Sequence, residues 1–418
     1  MHRRQFLLAT ALGISAQAST GQPASASAYK PQGPKMKITP WQAPLDASQA
    51  NDLMQRLSNA RWADAIVDDW SYGTATQPLR HLIDFWQTRY DINEAISRLN
   101  ALPHYQAEID GFRVHFLYFK GRSKTKKPQP LLLSNGWPSS FVEYTRLAPM
   151  LADPASHGGD AESADDAFDV IIPAHPGFGL SARPSMPDQV QTIDLFHRLM
   201  HEGLGYSTYM VSGTDVGAGV ATRMALKYPQ AIKGIHLSAV VEPPGIASAT
   251  DLSKAELAYM ESVKQWSDKE GAYLHLQATR PQTLAYALND TPLGLASWIL
   301  EKFRNWSDVG DNLFAVFPEQ MLLDNLLLYW ITQTIGSSMR YYYEARHFRP
   351  ALQLHDRVSV PTAVCMWPRE LVVAPKEWAA RFYHLVQYTS PARGGHFPAW
   401  EQTQTYAEDL RQFSRALR

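Results

Sequence analysis

Four short apolar runs, each tied to a glycine or proline turn or a helical stretch, constrain this chain more than any other feature of its sequence. They are Leu131-Leu132-Leu133-Ser134 before Asn135-Gly136-Trp137-Pro138, Phe168 to Pro173 before Pro176-Gly177-Phe178-Gly179, Tyr209-Met210-Val211-Ser212, and Ile235-His236-Leu237-Ser238. A strand that is apolar on both faces needs cover on both faces. Runs of this kind alternating with helices therefore predict an α/β fold with a mostly parallel central sheet. The pattern returns at Pro361 to Met366 and near Tyr388, and a last helix from about Thr405 to Leu417 closes the fold. With 418 residues, 45% hydrophobic and 19% charged, the chain can bury one large core or a core with a smaller companion.

Five segments are predicted. Residues 1–28 carry Arg3-Arg4, an apolar run from Leu7 to Ile14 and small residues at Ala24, Ala26 and Ala28, which describe a twin-arginine type signal peptide and an exported, periplasmic or secreted protein. Residues 37–125 form an N-terminal helical extension rich in Trp and Leu that ends in an alternating strand, Phe112 to Phe119. The sheet core occupies 126–246 and 352–418. Between them, 247–351 reads as a helical lid dense in aromatics, Tyr259, Trp266, Tyr273, Trp298, Trp306 and Tyr341 to Tyr343 among them. The net charge of -1 gives no field that would draw in nucleic acid, and the single cysteine, Cys365, rules out an internal disulfide and a cysteine-rich metal site. No cofactor motif is found, and nothing calls for a metal. A small, roughly neutral substrate fits best.

Chemistry concentrates at Val211-Ser212-Gly213-Thr214-Asp215-Val216-Gly217, a strand running through small-x-Asp-x-Gly into a helix. That is the nucleophile elbow of an α/β-hydrolase fold with aspartate in place of serine. Taken alone, it equally suits an aspartate capping a helix. Glu370 and then Gly394-Gly395-His396-Phe397 follow downstream, in the nucleophile, acid, histidine order of that fold. The loop at Asn135-Gly136-Trp137-Pro138 lies where an oxyanion hole belongs, with the Trp137 and Val216 N–H groups as its donors.

Longer stretches carry a resemblance. Arg56-Leu57, Trp70-Ser71-Tyr72-Gly73, Phe85-Trp86, Gly111 to Phe116, Pro176 to Ser181, Ala287 to Pro292, Ser337 to Glu344 and Gly394 to Phe397 are similar to motifs of the microsomal-type epoxide hydrolases. The resemblance covers nearly everything after the leader. It implies Asp215 as nucleophile, His396 as base, Glu370 as its orienting acid and Tyr342 as a lid acid, acting on a small apolar epoxide and water. Aspartate suits this chemistry because its alkyl ester keeps a carbonyl that water can attack, whereas serine would leave an inert ether. Three positions depart from the family pattern. Asn135 replaces a histidine, Val216 replaces a tryptophan, and Trp298 stands where the second lid tyrosine is expected. Trp298 and Asn135 as pocket donors would also suit a haloalkane dehalogenase built on the same Asp, His and Glu; an inactive binding protein is the third reading. The sequence does not specify an oligomeric state.

Overall fold

The computed structural model describes residues 36–46, 48, 50–158, 165–188 and 190–418, so the leader expected at 1–28 lies outside the described residues. Nine strands form one sheet: β1 (Ile38–Pro40), β2 (His104–Ile109), β3 (Phe112–Phe119), β4 (Gln129–Ser134), β5 (Phe168–Pro173), β6 (Tyr209–Gly213), β7 (Ile232–Leu237), β8 (Val358–Cys365) and β9 (Tyr383–Thr389). Their order is β1-β2-β3-β5-β4-β6-β7-β8-β9. From β5 to β9 every pairing is parallel, and the β1-β2-β3 edge is antiparallel. The fold is therefore an α/β-hydrolase fold.

Two-residue alternation explains why the core strands read as continuous apolar runs. Leu131 and Leu133 of β4 join one buried cluster with Val170, Ile172 and Met210, while Leu132 joins a second, on the other face, with Ile171, Tyr209 and Val211. Both faces are covered, so neither set can be polar.

The extension is less helical than its sequence pattern suggests. Helices α1 (Ala50–Ser58), α2 (Thr76–Thr88) and α3 (Ile92–Asn100) are present. Each is amphipathic, with Leu82, Trp86, Ala95 and Leu99 buried. Yet β1 and β2 also belong to this region. They escape notice because β1 is three residues long and β2 mixes His104, Gln106 and Glu108 into its pattern. The extension thus adds three strands to the sheet.

On the core, α4 (Thr192–Arg198) and α5 (Val216–Lys227) flank β6. The lid is helical: α6 (Lys254–Glu270), α7 (Ala272–Thr279), α8 (Pro281–Asp290), α9 (Pro292–Asn305), α10 (Glu319–Thr332) and α11 (Ile335–His347). A capping box of Ser253 and Glu256 starts α6. Prolines at the first turn start α8 and α9. The closing helix, α12 (Thr403–Ala416), packs Tyr406, Leu410 and Phe413 into the core.

Candidate active site

Asp215 stands between β6 and α5 at φ 50 and ψ -120, a strained backbone for any residue with a Cβ. Its surroundings permit it only because they are bare. A Cβ on Gly217 would overlap the Ser134 carbonyl, and one on Gly136 would overlap the Asp215 carboxylate itself. The elbow and the oxyanion loop therefore touch backbone to side chain with no space for a methyl. This contact lets the Trp137 N–H donate to Asp215 Oδ1 at 2.9 Å, and the Val216 N–H also stabilises the carboxylate. The Asp215 side chain makes no ordinary helix-capping hydrogen bond; its contact with α5 is the Val216 N–H, and the same carboxyl takes the Trp137 N–H from the facing loop.

The other carboxylate oxygen, Oδ2, lies 3.6 Å from His396 Nε2, and His396 Nδ1 is 2.5 Å from Glu370 Oε1. Backbone bonds fix the imidazole loop: the His396 N–H donates to the Trp306 carbonyl at 2.8 Å, and Glu401 accepts from the Phe397 N–H at 2.9 Å. All three triad side chains are buried. Burial raises the Asp215 pKa, while His396 and the two N–H donors pull it back down. Burial alone would strip His396 of its proton, but Glu370, Asp215 and Glu143 outweigh it and raise its pKa to about 9. A cavity of about 30 Å³ borders Asp215, Glu370 and His396, walled by Tyr259 and Trp266 of α6, with room for water.

Residues 38–144 match the model of the epoxide hydrolase N terminus, and residues 129–282 match that of the alpha/beta hydrolase fold. Epoxide hydrolase 1 of Oryctolagus cuniculus is 34% identical over 90% of this chain and 88% of its own length. The chain belongs to the microsomal-type epoxide hydrolase family. Among solved structures, juvenile hormone epoxide hydrolase of the silkworm Bombyx mori superimposes with a TM-score of 0.82 at 28% identity, covering 91% of this chain and 95% of that one. Aspergillus niger epoxide hydrolase gives 0.78 at 26% identity, over 92% and 97%.

Over the oxyanion loop of this epoxide hydrolase the lid places two buried phenols. Tyr342 of α11 is buried, whereas its neighbours Tyr341 and Tyr343 are part-exposed, as helical geometry requires. Beside it stands Tyr273 of α7. The Tyr273 ring stacks on Trp137 at 5.7 Å and an interplanar angle of 8°, and Tyr342 meets both rings edge-on, at 6.1 Å from Tyr273 and 6.0 Å from Trp137. Among the described residues neither hydroxyl has a hydrogen-bond partner beyond the other of the pair. For both phenols, burial first and the Asp215 charge second push the pKa well up, so they remain neutral donors.

This corrects the sequence reading of Trp298. Its indole N–H donates to Gln277 Oε1 at 3.2 Å, and the Lys302 ammonium sits 5.1 Å from its ring. Trp298 thus serves the packing between α7 and α9, and the tyrosine that stands beside Tyr342 is Tyr273. Asn135 is no pocket donor either. Its side-chain amide nitrogen donates to the Gly136 carbonyl at 2.9 Å, so the side chain braces the loop, and its backbone carbonyl lies 3.0 Å from His175 Nε2.

Sequence reasoning also passed over Glu143. It lies in the short turn after the oxyanion loop, 1% exposed, with Oε1 lacking a partner. Burial, only partly offset by Ser139, pushes its pKa to about 8. The available signal was a lone carboxylate set among Phe141, Val142 and Tyr144, where a charge is costly.

Proposed function

We propose that the chain converts a small apolar epoxide to a vicinal diol through an ester on Asp215. Asp215 Oδ2, the oxygen beside His396, attacks an epoxide carbon. As the new C–O bond forms, the ring C–O bond breaks, and its electron pair takes a proton from the Tyr273 or Tyr342 hydroxyl. Positioned acids of this kind contribute about a hundredfold to ten-thousandfold. Oδ1 stays in the grip of the Trp137 N–H, with the Val216 N–H at the same carboxyl, ready to carry the charge of the next step.

Esterification changes the histidine. With Asp215 neutralised, one of the charges that raise the His396 pKa disappears. The imidazole then falls toward its ordinary value and becomes a base at neutral pH. Glu370 holds its tautomer and stabilises the imidazolium formed when water, giving up a proton to His396, attacks the Asp215 ester carbonyl. Collapse of the tetrahedral oxyanion expels the diol alkoxide, which takes that proton from His396, and the proton left on the Asp215 carboxyl returns to the tyrosinate, restoring both carboxylate and phenol.

The observation that carries this reading is the placement of one carboxylate oxygen in the oxyanion hole and the other beside the imidazole, with two phenols in the lid, unpartnered among the described residues beyond each other, stacked over the oxyanion loop. Halide release has no such support, because Trp298 and Asn135 are both engaged elsewhere. A single turnover in ¹⁸O water tests the ester. The first diol should carry an unlabelled oxygen from Asp215; label in all of it would exclude the route. The leader implies export as part of the same proposal, checked by N-terminal sequencing of the periplasmic fraction of an expressing bacterium, where loss of about the first 28 residues is expected from the cleavage motif.

A further inference from the structure

Apart from the triad, a cavity of about 480 Å³ opens between α11 of the lid and α4 and α5 of the core. Its charges are unevenly matched. Lys227 on the rim is paired with Asp194 at 2.6 Å, Asp188 takes the Gln191 amide, and Glu344 lies one helical turn from Arg340, whose charge acts on it. Arg223 and Arg349 are left over. No described carboxylate comes within ion-pair distance of either. Arg223 spends one N–H on the Pro350 carbonyl at 3.0 Å, and Arg349 lies over the Tyr341 ring at 4.8 Å. Burial, and Arg349 after it, lower the Arg223 pKa to about 10.

Two guanidiniums facing one cavity repel each other until an anion comes between them, and their planar forks match a carboxylate. Part of the remaining wall is apolar: Val220, Ile193 and Phe348 line the same space, beside Thr192 and Ser337, and Phe348 is 41% exposed at its rim. Arg340, Glu344 and Phe348 also line a second cavity of about 290 Å³, so the apolar route continues past the ring. We propose that this cavity binds an amphipathic organic monoanion, with its carboxylate between Arg223 and Arg349 and its hydrocarbon body running along Val220, Ile193 and Phe348. Such a ligand would tie the lid to the helix that carries the nucleophile, because Arg349 follows α11 and Arg223 belongs to α5.

Titration calorimetry of the full chain with decanoate and with decanol tests this. Decanoate should saturate at one per chain, decanol should bind at least about tenfold more weakly, and Arg223→Gln and Arg349→Gln should each weaken decanoate about tenfold or more. Arg346→Gln, on the exposed side of α11, should leave binding unchanged. Thermal melts identify any variant that fails to fold, and Arg349→Gln alone then decides, since Arg349 makes no structural hydrogen bond. Absence of saturable decanoate binding, equal binding of decanol, or unaltered affinity in the folded arginine variants would overturn the proposal.

Discussion

Replacing Tyr273 with phenylalanine separates chemistry from packing cleanly at this site. The ring would keep its stack on Trp137 and its edge contact with Tyr342, so no cavity forms. The hydroxyl that leaves belongs to a residue 1% exposed and has no hydrogen-bond partner among the described residues beyond Tyr342. Removing it costs at most that one bond and relieves a desolvation penalty of about 1–3 kcal/mol, so the melting temperature should hold or rise slightly. The rate should move the other way. One positioned acid is worth about a hundredfold to ten-thousandfold, and with Tyr342 still present the loss in ester formation should be near the lower end. Tyr273→Phe with Tyr342→Phe should drop it by about ten-thousandfold or more. Stopped-flow quenching of tryptophan fluorescence, with Trp137 in contact with both rings, reads ester formation directly. Trp298→Phe is the control and should leave that phase within about twofold, since its indole points at Gln277. Ester formation at the wild-type rate in Tyr273→Phe, or an equal loss in Trp298→Phe, would refute the assignment of Tyr273.

Five further outcomes are expected. His396→Gln should form the ester but fail to release it, giving an enzyme heavier by one substrate in intact-mass spectra. In the wild type, ester hydrolysis should rise with pH and level off below pH 9, because neutral His396 is the base and its pKa falls once Asp215 is esterified. In the resting enzyme the raised His396 pKa works on stability with the opposite slope: the imidazolium contribution is complete below about pH 6.5 and is lost as pH climbs through about 9. Glu143, also raised, adds to that slope between its ordinary range and about 8, so Glu143→Gln should flatten melting temperature against pH across that window. Gly136→Ala drives a methyl into the Asp215 carboxylate; activity should fall at least about a hundredfold, with a stability loss of about 1–3 kcal/mol.

The core strands and the elbow turn were legible because each follows a local rule: doubly covered strands are continuously apolar, and a strained turn demands small neighbours; the chain order of Asp215, Glu370 and His396 singled out three side chains that lie together in the structure. Tyr342 was legible through its motif. Tyr273 was not, because a lid tyrosine's role depends on which way its helix is rolled, and α7 and α9 both carry aromatics at suitable places. The structure decides between them by hydrogen bonding, giving the Trp298 indole a partner and leaving the Tyr273 hydroxyl, among the described residues, without one beyond Tyr342. Glu143 belongs to the same class, since its meaning comes from burial by segments distant in sequence. Strand β2 hid behind polar residues because it pairs near the sheet edge, where one face tolerates them.

The pairing of β3 with β5 makes the extension, through Phe119, inseparable from the catalytic unit. Cut away, it would strip the β5 edge of its neighbour and leave a row of backbone donors and acceptors open to another molecule's strand. The same segment underpins the lid, through Arg56 to Asp290 at 2.7 Å and Tyr90 to Asp324 at 2.6 Å. Engineers seeking a smaller biocatalyst should therefore trim elsewhere, for a shortened version would both aggregate and lose the footing on which its proton donors stand.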